Sequence, residues 1–360
     1  MLFPLLAIET SCDETAAAVM GPEGQLLSSV VHSQIDDHAL FGGVVPELAS
    51  RCHVEAIRGV VDRALSDAGC SIEDLGCVAA TRGPGLVGSL LVGLSYAQGL
   101  AAARDLPLLG INHLEGHLLA PFVGSPEPPF PFLALVVSGG HTELVIARGL
   151  GDYEVVGQTR DDAAGEAFDK GARLLGLGYP GGVVIDRLSQ QGDAACYALP
   201  RGMAKRPGFD FSFSGLKTAV WKHVQANGVP QGSDQNDFCA SLQEAIVDAL
   251  LLKTRKAARE WAMSDIVVTG GVAANSRLRA RFQEVADEEG WTLHRPVMSL
   301  CTDNAGMIGY VAALRASRGE RHSLSTAVCP GLALGPDKPP TPLPGALLES
   351  GPSAEVPERG

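Results

Sequence analysis

The sequence predicts a mixed α/β protein built twice over, with two similar halves facing each other across a cleft. Three observations carry this. A strand, a short polar turn and a second strand occupy residues 5–20, and the same pattern returns at 133–147. A strand, a glycine-rich loop and a helix start occupy 77–90, and that pattern returns at 266–275. Between the first set of parts and the second lies a proline-rich connector, Pro126, Pro128, Pro129 and Pro131, of the kind that joins separate units. The repetition is of pattern, not of residue identity. Two units made of the same parts imply a cleft between the copies. The expected division is a first lobe at 1–125 and a second at 131–335, with the last helix, about 303–318, in a position to pack back on the first.

The totals agree. A chain of 360 residues, 46% hydrophobic and 19% charged, has ample core and length for two domains. Its net charge of -13 argues against a general nucleic-acid binder, because phosphate contacts need clustered Lys and Arg. A local basic face, or binding through a partner protein, stays open. No apolar run reaches the length of a membrane span. Met1 to Leu6 lacks the basic start of a secretion signal. The eight Cys are scattered without a Cys-x-x-Cys pair, mostly in apolar surroundings, as free thiols are in a reducing cytosol. A cytoplasmic protein is expected.

Taken in order, Leu5 to Ile8 is an apolar strand, Ser11 to Thr15 a polar turn, and Ala16 to Met20 an apolar return. Acids and hydroxyls at such a tip, Asp13 and Glu14 among them, can hold a phosphate-bound cation or a sugar hydroxyl. An ordinary polar turn is the alternative. Phe41 to Glu47 is a loop. Val54, Ile57, Val60, Val61, Ala64, Leu65 and Ala68 recur at helical spacing and Gly69 stops them, which makes a core-packing helix without chemistry. Cys77 to Ala80 is a short strand. Thr81 to Ser89 is a glycine-rich loop opening a helix from Leu90 to Ala103, an arrangement that can cradle phosphate or carboxylate on backbone N–H groups. It lacks the Gly-Lys-Ser/Thr ending of a P-loop.

An apolar strand, Leu106 to Ile111, leads into Asn112, His113, Leu114, Glu115, Gly116 and His117. Asn112 suits an N-cap, so His113 opens a helix, and Pro121 limits its length. His113 and His117, four apart, lie on one face and can reach one cation; imidazole suits zinc, iron and nickel. Two polar residues on a helix surface are the alternative. In the zinc-protease pattern the glutamate directly follows the first histidine. Here Glu115 lies about 200° round the helix from His113 and points away from any shared ion. Gly116 lets another element approach the backbone closely.

Beyond the connector, Leu133 to Val137 is a strand, Ser138 to Thr142 a turn and Glu143 to Ala147 a second strand. Arg201 to Gly208 is the most basic loop, followed by Phe209, Phe211 and Phe213. Basic residues beside exposed aromatics can hold single-stranded nucleic acid; a solvated loop over a buried Phe cluster is the alternative. Phe238, Leu242, Ile246, Ala249 and Leu250 mark a long helix, whose Lys253, Arg255, Lys256 and Arg259 suit its C-terminus and need no other role. Ile266 to Asn275 repeats strand and glycine loop. Cys301 to Met307 opens the last clear helix. There Asp303 either caps the helix or adds a third, hard ligand to an ion held by two histidines. Pro336 to Gly360 has no periodicity and reads as a disordered tail.

Several stretches together resemble the TsaD family of tRNA N6-adenosine threonylcarbamoyltransferases, once described as O-sialoglycoprotein endopeptidases. They are Ile8–Thr15, Gly42–Arg51, Gly83–Leu86, His113–His117, Val137–Thr142, Phe211–Lys217, Gly270–Asn275 and Cys301–Asn304. The resemblance covers about residues 5–335, with no motif missing. It implies the actin-like ATPase fold (the ASKHA, ribonuclease H-like class), in agreement with the two halves. It implies transfer of a threonylcarbamoyl group from threonylcarbamoyl-adenylate to the N6 amine of the adenosine 3′ of the anticodon, in tRNAs reading ANN codons, with release of AMP. By matching position, His113, His117 and Asp303 would hold one iron or zinc ion, iron favoured. Val136, Val137, Ser138, Gly139, Gly140, Asp169, Gly182, Asp186 and Asn275 would bind the adenylate, with Gly139-Gly140 and Gly270-Gly271 offering backbone donors to the phosphate. Asp13 or Glu14, at the hairpin tip, would orient the adenine amine. The family also implies tRNA, a paralogous non-catalytic TsaB-type subunit and a small TsaE-type ATPase as partners. Two other classes stand beside this one. A metalloprotease would need a glutamate placed as base, and a sugar kinase or ATPase of the same fold would bind ATP and have no use for His113 and His117.

Overall fold

The computed structural model describes residues 2–204 and 206–335. Lys205 of the basic loop and the expected tail at 336–360 lie outside the described residues. Two five-stranded sheets form the frame. The first contains β1 (Leu5–Glu9), β2 (Glu14–Met20), β3 (Leu26–Ser33), β4 (Cys77–Gly83) and β5 (Leu108–Asn112), in the order β3-β2-β1-β4-β5. The second contains β6 (Phe132–Val137), β7 (Thr142–Gly149), β8 (Asp152–Gln158), β9 (Asp265–Thr269) and β10 (Thr292–His294), in the order β10-β9-β6-β7-β8. In each sheet the first strand pairs antiparallel with the second and parallel with the fourth. The repeated pattern in the sequence is therefore a repeated topology.

The central strands read as continuous apolar runs because both of their faces are buried. Leu5 and Ala7 enter one core while Leu6 and Ile8 enter another. Likewise Phe132, Ala134 and Val136 face one way and Leu133, Leu135 and Val137 the other.

The helices are α1 (Ile35–Ala39), α2 (Pro46–Asp67), α3 (Val87–Arg104), α4 (His113–Leu119), α5 (Ala164–Leu174), α6 (Gly181–Ser189), α7 (Ser214–Asn227), α8 (Ser233–Glu260), α9 (Ser276–Glu289) and α10 (Ala305–Ser317). The stripe from Ile57 to Leu65 packs α2 with α3 on the outer face of the first sheet. This helix begins at Pro46, ahead of the periodic stripe, because Pro loses nothing in the first turn. Helices α5 to α9 supply the core on the outer face of the second sheet. Between the sheets lie α4 and α10, in one core with Leu5, Ala7, Phe132 and Val136. Although α10 follows the second sheet in sequence, it packs on β1, β2 and α4. It is buried nearly all round, as its apolar sequence requires.

Three expectations change. The glycine loop after β4 is filled by protein: a Cβ on Gly83 would stand 1.9 Å from the Cys329 carbonyl oxygen, and one on Gly85 2.6 Å from that of Ser11. Its glycines serve close chain packing and not a ligand cradle. Phe211 and Phe213 are buried and Phe209 packs against the same core, its ring tilted on Trp261, so the aromatic stretch is core rather than a nucleic-acid platform. Lys253 does have a role: it is buried and donates to the carbonyls of Arg206 and Gly208, both at 3.0 Å.

Candidate metal centre and ligand cleft

The start of α4 follows from its sequence. The Asn112 Oδ1 accepts from the backbone N–H groups of Leu114 at 2.8 Å and Glu115 at 3.3 Å, so the helix opens on His113. Both histidines then face inward and are buried. Against them comes the turn before α10. Asp303 and Asn304 are both residues that cap helices. Asn304 takes the cap, accepting from Met307 N–H at 2.9 Å, which frees Asp303 for the histidines. Its Oδ1 lies 3.0 Å from His117 Nε2 and 3.5 Å from His113 Nε2. One ligand atom from each of the three residues falls within 4.8 Å of the others.

Behind His113 stands Glu9, fully buried at the end of β1. Its Oε2 accepts from Thr81 Oγ1 at 2.6 Å and lies 3.0 Å from His113 Nδ1; its Oε1 accepts from Ser11 N–H. A carboxylate only accepts, so the His113 Nδ1 carries a hydrogen and Nε2 faces Asp303. That is the tautomer a cation needs, and a carboxylate behind a ligating histidine is its common support. Two imidazole nitrogens and a carboxylate oxygen form a donor set that suits iron or zinc and leaves coordination positions open. The three residues therefore fit a metal ion.

The electrostatics favour positive charge there. Burial opposes the His113 imidazolium, but Asp303 and Glu9 outweigh it and hold it up to about 9. Burial pushes the Asp303 carboxyl upward, yet His113 and His117 keep it well below the usual carboxylate range.

Asp303 also stands on the wall of a cleft of about 460 Å³. Asp13, Glu14 and Ile35 of the first half line it, with Ser138, Gly139, Asp169, Gly182, Asp186, Gly271 and Asn275 of the second. Burial, then Asp303 and Asp13, push the Glu14 carboxyl up to about 10. The other polar side chains fix the shape of the wall. Asp169 Oδ1 accepts from Gly181 N–H at 2.8 Å. Asp186 accepts from Ser276 Oγ at 2.6 Å and its N–H at 3.0 Å. Asn275 caps α9 by accepting from Leu278 N–H and donates to Gln243 Oε1 at 2.6 Å. Nothing would touch a Cβ on Gly139 or Gly140 within 4 Å, so this loop is open where the loop after β4 is filled.

The model of the TsaD family, tRNA N6-adenosine threonylcarbamoyltransferase, matches residues 25–310. A protein of that name from Anaeromyxobacter dehalogenans strain 2CP-C is 57% identical over 318 residues, covering 88% of this chain and 95% of its own. The chain belongs to the TsaD family. The family is one of acyltransferases, and this membership favours acyl transfer over the kinase and protease alternatives. Solved structures bear on the fold alone. Full-length HypF in its phosphate- and nucleotide-bound form aligns with a TM-score of 0.57 at 13% identity, over 87% of this chain and 55% of that one. Component A of Acidaminococcus fermentans (R)-2-hydroxyglutaryl-CoA dehydratase aligns at 0.52 and 14%, over 87% and 98%. The actin-like class expected for the two halves is the class of these neighbours.

Of the residues that family resemblance singled out, the fold brings Asp13, Glu14, Ser138, Gly139, Asp169, Gly182, Asp186, Asn275 and Asp303 to one cleft. His113 and His117 adjoin it through Asp303. Val136 and Val137 do not line it: their side chains enter the cores on opposite faces of β6. Gly140 is exposed and outside the lining. Reading the residues gave Glu9 no role. The available signal was a carboxylate ending an otherwise apolar, two-face-buried strand, where an unpaired charge is costly.

Proposed function

We propose that this cleft transfers the threonylcarbamoyl group from threonylcarbamoyl-adenylate to the N6 amine of the adenosine 3′ of the anticodon in tRNAs reading ANN codons, releasing AMP. The observation that carries the reading is a single cleft walled by both halves, with a His–His–Asp group of metal-binding chemistry at Asp303. His113, His117 and Asp303 would hold the cation, iron in preference to zinc, which would supply a Lewis acid for the acyl carbonyl. Ser138, Gly139, Gly140, Asp169, Gly182, Asp186 and Asn275 would hold the adenylate, with Val136 and Val137 contributing as the strand that carries the loop. Backbone N–H groups at Gly139 and Gly271 would meet the phosphate, so that its charge is stabilised as it leaves. Asp13 or Glu14 would orient the adenine amine: the Asp13 carboxylate by accepting from it, a protonated Glu14 by donating to the base.

The target base lies in a loop, so extruding it costs less than flipping it from a duplex. A chain of net charge -13 fits an enzyme that holds tRNA with help, and a TsaB-type paralogue and a TsaE-type ATPase are the proposed partners. The proposed setting is the cytoplasm; among the described residues no helix is long and apolar enough to cross a membrane. The lobes at 1–125 and 131–335 belong to the same reading.

Mass spectrometry of tRNA nucleosides from cells depleted of this protein tests it. Threonylcarbamoyl-adenosine is expected to disappear and to return with the wild type but not with His117→Ala. Full retention of the nucleoside in depleted cells overturns the reading. Replacing Asp13 and Glu14 by Ala without slowing transfer removes their role.

A further inference from the structure

The two histidines and Asp303 belong to different elements, α4 and the turn into α10. Their separation is set by how these elements pack. One contact is apolar and close: a Cβ on Gly116 would stand 2.8 Å from Ile308 Cδ1 and 3.7 Å from the Met307 backbone. Leu114, Leu118 and Leu119 share one core with α10, and the Thr269 hydroxyl donates to the His117 carbonyl at 2.7 Å, but apolar packing by itself has little direction.

Glu115 supplies a second contact, on the side of α4 opposite the histidines. It is 2% exposed and points to the back of α4, towards a separate cavity of about 230 Å³. Its Oε1 accepts from Arg315 Nη2 at 2.8 Å and its Oε2 from Arg315 Nε at 3.1 Å. Oε1 also accepts from the Tyr153 hydroxyl at 2.9 Å. Arg315 lies in the last turn of α10 and Tyr153 on β8. A two-toothed Arg–carboxylate bond is directional, and such a pair in a protein interior often stabilises no more than apolar groups of the same size. Its worth here is therefore orientation.

We propose that Glu115 is a positioning residue for the metal site. With Arg315 and Tyr153 it fixes the rotation of α4 on α10, and so aims His113 and His117 at Asp303. This rests on the metal reading above, and the test separates the two. The full chain is titrated with Zn²⁺ in competition with a chromophoric chelator, and its Co²⁺ form is examined by visible absorption. Four proteins are compared: wild type, Glu115→Gln, Tyr153→Phe and His117→Ala.

Groups that orient ligands typically change affinity by ~10–100-fold when lost. Glu115→Gln is expected to weaken Zn²⁺ by that factor and to alter the Co²⁺ band. Tyr153→Phe, which keeps every charge, is expected to weaken it roughly threefold, as for one lost hydrogen bond. If wild type binds Zn²⁺ no better than His117→Ala, the metal reading fails. If His117→Ala loses the ion while Glu115→Gln keeps wild-type affinity and spectrum, the positioning role is overturned. Should Glu115→Gln not fold, the paired replacement Glu115→Leu with Arg315→Leu keeps an apolar contact of similar size, and wild-type affinity there overturns the proposal equally. A lowered melting temperature with unchanged affinity and spectrum would mark a structural role only.

Discussion

Glu9→Gln keeps the size of a buried side chain and removes its charge, so its consequences can be worked atom by atom. Three donors converge on Glu9: Ser11 N–H on Oε1, and Thr81 Oγ1 and His113 Nδ1 on Oε2. Glutamine offers one oxygen and one NH2. If the NH2 takes the Oε1 place it meets the Ser11 N–H, donor against donor. If it takes the Oε2 place, Thr81 can turn to accept, but the amide competes with the His113 Nδ1 hydrogen, which must then go to Ser11 Oγ, 3.1 Å away, or move to Nε2. That nitrogen is the one facing Asp303 at 3.5 Å. Either outcome costs about 1–3 kcal/mol, the penalty for a buried donor or acceptor left unmatched. The corresponding loss of metal affinity is ~10–100-fold, the range seen when a group supporting a ligating histidine is removed. The assay is Zn²⁺ competition at pH 7 and pH 9, since the proton that His113 holds up to about 9 competes with the ion at the lower value. At pH 9 the lost carboxylate no longer eases that competition, and the misplaced hydrogen remains. Wild-type affinity at pH 9 would refute the tautomer argument.

Gly83→Ala puts a methyl group 1.9 Å from the Cys329 carbonyl oxygen, at a φ of 154°; backbone must move, and a loss of ~3 kcal/mol or more is expected in urea unfolding, whereas an unchanged midpoint would show that this chain crossing is misplaced. His53 is buried, and burial is the main cause that pushes its imidazolium below the ordinary 6.5. The unfolded chain then binds a proton near 6.5 that the folded chain refuses, so stability falls as pH drops below 6.5 towards the folded value, by up to ~1.4 kcal/mol per pH unit. His53→Gln, measured by urea unfolding from pH 7.5 to 5, is expected to flatten that slope; equal slopes in both proteins would remove His53 as the cause.

Local chemistry determined a good deal by itself. The strands are legible because a strand buried on both faces must be apolar throughout. The doubling is legible because the same parts recur. The start of α4 follows from Asn112, and the aim of Glu115 away from the two histidines follows from 3.6 residues per turn; neither needs a neighbour. Tertiary structure decided the rest. Asp303 and Asn304 are adjacent and equally able to cap α10; only the histidines of a distant helix show which one is left over. Gly83 and Gly85 look like a ligand cradle until Cys329 and Ser11 are seen to fill it, while Gly139 stays open. Val136 and Val137 sit beside the cleft in sequence, but the alternation of a central strand turns both into cores. Glu9 acquires a role only when β1, β4 and α4 meet. Helical and strand periodicity act over a few residues and can be read along the chain. Which groups finally face one another depends on packing between segments far apart in sequence, and no short stretch contains that information.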